Sequence, residues 1–171
     1  PDSPEVAAAA KDALKRAVLR MPDRDATAAK LIAAMERAAT PTKVDLLDLL
    51  GIVGGEKALQ GVARAAKSGD EELQDAATRV LGEWMSPAAA PVLLDLARSG
   101  PQKFRIRCLR GYLRIARQLD VPTEERIAMC RQALAVAGRD QEKALALEVL
   151  GRHPTPESLS LVAPYLDNAS L

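Results

Sequence analysis

The side chains that most often carry chemistry are sparse in this sequence. Its single histidine, His153, excludes every two-histidine metal signature and the HExxH zinc motif. A Ser–His or Cys–His pair would have to recruit that one ring, and nothing near it in the sequence supports one. The two cysteines, Cys108 and Cys130, stand in neither CxxC nor another metal-type spacing and cannot build a disulfide framework. Whether they pair with each other is open; small buried thiols are the commoner outcome. The stretch Gly51-Ile52-Val53-Gly54-Gly55-Glu56-Lys57 has the glycines of a phosphate loop without its spacing or its Ser/Thr, and it follows a helix rather than a strand. Asp70-Glu71-Glu72 and Thr123-Glu124-Glu125 lie at helix starts, where each carboxylate favours the dipole by about 0.3–1 kcal/mol. Trp84, Phe104, Tyr112 and Tyr165 are too few and too scattered to stack bases. No catalytic residue, metal or cofactor is expected from these residues, and the chain reads as a non-enzyme.

One cluster stands apart. From Leu96 to Leu119 no acidic residue occurs, while Arg98, Lys103, Arg105, Arg107, Arg110, Arg114 and Arg117 all carry positive charge. On a helix, Lys103, Arg107, Arg110, Arg114 and Arg117 fall within a sector of roughly 80°, with Ile106, Leu109, Leu113 and Ala116 turned toward the other side. Like charges at these spacings cost a few tenths of a kcal/mol per pair, so an acidic group should compensate them. Asp75, Glu83, Glu142 or Glu148 on a neighbouring helix is one source. An acidic partner, whether peptide, phosphate or anionic glycan, gripped by guanidinium forks is the other. These five residues are therefore the candidate partner-binding site.

The elements that must position that stripe are helical. Val6, Ala9, Ala10, Ala13, Leu14, Ala17 and Val18 recur at three and four, as do Ala28, Leu31, Ile32, Met35 and Ala39. Met21-Pro22-Asp23 separates these two segments. Thr40-Pro41 opens the next, with Thr40 as its cap and Leu46, Leu47, Leu49 and Leu50 as its buried stripe. Gly54-Gly55 ends it, and Ala58, Leu59, Val62, Ala63 and Ala66 continue to Lys67. Ser68-Gly69-Asp70 starts a helix to about Met85, Ser86-Pro87 one to about Arg98, and Ser99-Gly100-Pro101 a third. Further breaks fall at Asp120-Val121-Pro122, before a helix capped by Thr123, at Gly138-Arg139-Asp140 and at His153-Pro154-Thr155-Pro156. About ten helices result. No alternating run of β-branched or aromatic residues marks a strand.

Composition agrees with this all-α reading. The 171 residues are 48% hydrophobic and 27% charged, with only 2% aromatic, which is far from disordered chains. Charges interrupt every apolar stretch, so no membrane span is expected. With 24 Lys+Arg against 23 Asp+Glu and a net charge of +1, the balance is not that of a dedicated nucleic-acid binder. The sequence begins at Pro1 with no basic-then-apolar signal pattern, and a piece of a longer protein is expected. The compartment stays open.

An apolar-flanked glycine recurs near the end of every second helix, at Gly51, Gly82, Gly111 and Gly151, spaced by roughly 31, 29 and 40 residues, the range of solenoid repeats. Because glycine inside a helix costs about 1 kcal/mol against alanine, close approach of a neighbouring helix is the expected reason. The stretches from Asp70 to Gly82 and from Ser86 to Ala97 resemble the HEAT repeat family, most closely its short, Ala- and Leu-rich bacterial subtype related to phycobilisome-lyase-type repeats. The resemblance is best between about 41 and 153. The pair 4–39 matches only in helical period, and the unit 101–138 departs in length and in carrying Arg110 where leucine is expected. The resemblance implies a single domain over 1–171, a right-handed α–α superhelix of about five antiparallel helix pairs at approximately 4–39, 41–67, 70–98, 101–138 and 140–167. It implies a protein–protein interaction scaffold. Its motif names core residues only, so no catalytic position carries over. The alternative is an anion- or nucleic-acid-binding module using the basic helix 101–119.

Overall fold

The computed structural model describes residues 3–166, so position 167 of the last expected pair lies outside the described residues. Ten α-helices follow one another: α1 (Pro4–Arg20), α2 (Arg24–Arg37), α3 (Thr40–Val53), α4 (Gly55–Ala66), α5 (Glu71–Gly82), α6 (Ala90–Ser99), α7 (Gln102–Gln118), α8 (Thr123–Val136), α9 (Asp140–Gly151) and α10 (Pro156–Val162). Single turns of 3-10 helix, Pro87–Ala89 and Ala163–Tyr165, precede α6 and follow α10. No strand occurs among the described residues.

The chain divides into two compact units, the first ending at Trp84 and the second starting at Met85. In the first, α1 packs on α3, α2 on α3 and α4, α3 on α4 and α5, and α4 on α5. In the second, successive helices from α6 to α10 pack on one another, and α6 also meets α8, α7 meets α9 and α8 meets α10. Leucines of the expected stripe form the core of the first unit, where Leu47 and Leu50 are sealed together with Val62 and Leu81. Leu93, Ile115, Ile127 and Leu150 do the same in the second. Burying each such side chain contributes about 1.5–3 kcal/mol.

The helix α1 is the exception to its own periodicity. Val18 is buried, but Val6, Leu14 and Leu19 stay exposed, because α1 meets the unit mainly through α3.

Local boundary chemistry follows the expected breaks with two corrections. Asp23 caps α2 by accepting the Ala26 N–H at 2.9 Å, and Thr155 forms a reciprocal capping box with Ser158. Thr40 and Thr123, expected as caps, are instead the first helical residues and cap nothing. The Thr40 hydroxyl turns to the Asp70 carboxylate at 3.1 Å, a partner 30 residues away. The helix expected to reach Met85 stops at Gly82, where the Glu83 and Trp84 N–H groups tighten the last turn onto Val80 and Leu81. At the α3–α4 corner Gly54 and Gly55 both adopt positive φ, 64° and 82°, a region open to glycine without strain.

The glycine signature divides. A Cβ at Gly51 would stand 2.8 Å from Val80 Cγ1 of α5, so there the expected close approach exists. Gly111 is buried within α7. Gly151 has nothing near it, which corrects its assignment as a packing glycine: the short α10 that follows does not reach it. Gly61, absent from the signature, is the tighter contact, with a Cβ there falling 2.8 and 2.9 Å from Ile32 Cδ1 and Cγ1.

Asp70 joins two helix starts. Its Oδ1 accepts the Glu72 and Leu73 N–H groups, and its Oδ2 accepts the Thr40 hydroxyl. The Leu73 N–H, with help from Thr40, holds its carboxyl below the ordinary value of 3.8. A carboxyl whose folded value is depressed contributes stability above its unfolded value and loses it as pH falls through the folded one. We expect the gap in urea midpoint between wild type and Asp70→Ala to be constant above about pH 5 and to close as the pH drops below 3.8.

Candidate functional site

The helix α7 starts after Gly100-Pro101 without a side-chain cap. The carbonyl of Gly100 accepts the Arg105 Nε–H at 2.7 Å, tying the start of α7 to the end of α6. Its inner face is apolar: Phe104, Leu109, Leu113, Ile115 and Ala116 are buried, and Ile106, expected with them, is half-buried.

The structure resolves the expected basic stripe into separate roles. Lys103 Nζ and Arg107 Cζ lie 5.6 and 5.5 Å from the centroid of the Phe104 ring, an arrangement attractive by about 0.5–1 kcal/mol at exposed sites. Arg110 turns to α9, placing Nε and Nη2 each 2.8 Å from Glu142 Oε1. Arg114 Nη1 approaches Met85 Sδ at 3.9 Å, and Arg117 is exposed. Of the acids expected to balance the stripe, Glu142 does so for Arg110, whereas Glu148 pairs with Arg152 on its own helix.

Glu142 is the focus of this arrangement. It is 1% exposed. Its Oε2 lies 3.3 Å from Arg139 Nε, one helical turn earlier, so two guanidinium groups divide the two oxygens of one buried carboxylate. In the sequence Arg139 stands out only as part of the break Gly138-Arg139-Asp140. The available signal was its i,i+3 spacing to Glu142 at a helix start.

Beside this cluster lies a cleft of about 480 Å³ between α7 and the corner that joins α8 to α9. Ile106, Leu109 and Val136 contribute its apolar wall, while Arg98, Arg105 and Arg139 supply positive charge. A second hollow, of about 580 Å³, lies along α6 and α8, where the Tyr112 hydroxyl donates to Gln132 Oε1 at 2.7 Å. Burial pushes the Tyr112 phenol up to about 12.

The remaining reactive groups lie away from both hollows. Cys108 and Cys130 are free thiols without surface exposure, and burial raises each to about 11, which keeps them protonated and unreactive at neutral pH. His153 is half-buried at the end of α9, its N–H bonded to the Leu150 carbonyl. No cluster of three potential metal ligands occurs among the described residues, and none of their helices is long and apolar enough to cross a membrane. No family model, curated protein or solved structure matches this chain.

Proposed function

We propose that this chain is a non-enzymatic, HEAT-like helical-repeat scaffold whose hairpins stack in a right-handed superhelix and whose second unit binds an acidic protein partner. Packing of helices on their next-but-one neighbours within each unit supports the repeat reading. The observation that carries the partner assignment is the concentration of arginine and lysine on and beside α7, of which Arg110 and Arg139 share one buried carboxylate. Such guanidinium groups recognise carboxylates through paired, charge-assisted hydrogen bonds.

The test is selection of random peptides displayed against the immobilised chain, repeated with the combined variant Arg98→Glu/Lys103→Glu/Arg105→Glu/Arg107→Glu/Arg114→Glu. Arg110 is left in place so that Glu142 keeps its partners. Enrichment of acidic sequences by wild type and its loss with the variant, at unchanged helicity, supports the reading. Equal enrichment by both overturns it. A low-salt gel shift with duplex DNA that collapses as salt rises would favour the nucleic-acid alternative instead.

A further inference from the structure

We propose that the cleft between α7 and the α8–α9 corner is a docking slot for a partner segment in which acidic side chains flank an apolar one. This rests on the scaffold reading above and supplies the seat and the chemistry of its partner. The wall offered by Ile106, Leu109 and Val136 calls for an apolar side chain, since covering apolar surface is favourable by roughly 25 cal/mol per Å². The charge around it calls for carboxylates. Arg98 makes no hydrogen bond or ion pair among the described residues, and Arg105 engages only its Nε, on the Gly100 carbonyl. Glu142, the one carboxylate in the lining, already has Oε1 bonded by Arg110 and Oε2 by Arg139. The cleft therefore holds more positive charge than its own acid balances.

Size selects the same occupant. A hollow of about 480 Å³ lies in the range that admits small ligands and single side chains rather than a folded domain. An inorganic anion or a phosphate backbone would satisfy the arginines and leave the apolar wall wet, whereas an acidic–apolar segment covers both.

The experiment measures anisotropy of a short labelled peptide of alternating glutamate and leucine in the presence of the full chain. Wild type is expected to bind it, Arg98→Glu/Arg105→Glu to bind about tenfold more weakly, and Lys103→Glu/Arg107→Glu/Arg114→Glu to differ from wild type by less than about threefold. Because Arg105 also holds Gly100, Arg98→Glu alone is the second variant, with a smaller loss in the same direction. A glutamate-only peptide is expected to bind more weakly than the alternating one. If it binds equally, or inorganic phosphate displaces the probe as well as the unlabelled peptide does, the slot is overturned in favour of a plain anion site. If binding survives Arg98→Glu/Arg105→Glu and disappears in the α7 variant, the slot is wrong while the scaffold reading stands. Failure of the wild-type chain to bind any acidic peptide removes both.

Discussion

Removing both arginines that hold Glu142, as Arg110→Ala/Arg139→Ala, is expected to lower the unfolding free energy by about 3–5 kcal/mol. The asymmetry of burial sets this magnitude. Glu142 is 1% exposed, while the side chains of Arg110 and Arg139 are about half exposed. Deleting the acid frees two cations that already reach water; deleting both cations strands a charge that does not. Either single replacement leaves one guanidinium on the carboxylate and costs less, about 1–2 kcal/mol. The two losses should therefore exceed additivity when combined. Adding Glu142→Gln to the double variant removes the charge and recovers most of the loss. Urea midpoints of the single, double and triple variants check all of this; a purely additive loss that Glu142→Gln does not relieve would show that the carboxylate reaches water once its partners are gone.

That cluster also shows where reading the sequence stops. Buried stripes such as Leu46, Leu47, Leu49 and Leu50 are legible because a 3.6-residue period puts them on one face whatever packs there. The breaks at Met21-Pro22-Asp23 and His153-Pro154-Thr155-Pro156 are legible from their prolines, and the caps that Asp23 and Thr155 form there have partners within three residues. Thr40 looks the same locally, yet its hydroxyl serves Asp70, and no local pattern encodes a partner 30 residues away. The glycines make a parallel case. Gly51 and Gly151 share one signature, but only Gly51 has a neighbouring side chain pressed against it, because spacing records the repeat and not the reach of the next helix. For the candidate site, the run of positive charge was visible along α7, whereas its division into ring contacts, an inward ion pair and a cleft depends on α9 and on the α8–α9 corner.

Replacing Arg126 by alanine is expected to cost about 2–4 kcal/mol, although the residue touches neither the cleft nor any carboxylate in the described network. It is 8% exposed and sits in the first turn of α8, where a positive charge is unfavourable to that helix's own dipole. Its compensation lies at the other side of the turn. Nη1 donates to the Ala116 carbonyl, and Nη2 donates to Leu119 at 3.3 Å and Val121 at 2.9 Å. Ala116 is among the last residues of α7, whose terminal carbonyls have no intrahelical donors, so one guanidinium caps the negative end of α7 and fastens the turn into α8. Its Nε has no partner among the described residues. The value of the side chain therefore lies in its two terminal nitrogens rather than in all five N–H groups. Arg126→Met keeps the apolar stem and loses the donors, so it should recover only the packing share of the alanine loss. Arg126→Lys brings one compact ammonium to carbonyls that the planar fork spans together, and should recover no more than about half. Hydrogen exchange at the end of α7 should quicken in all three variants. If Arg126→Met matches wild type in both stability and exchange, the carbonyls are satisfied by water and the buried guanidinium is not what holds the turn.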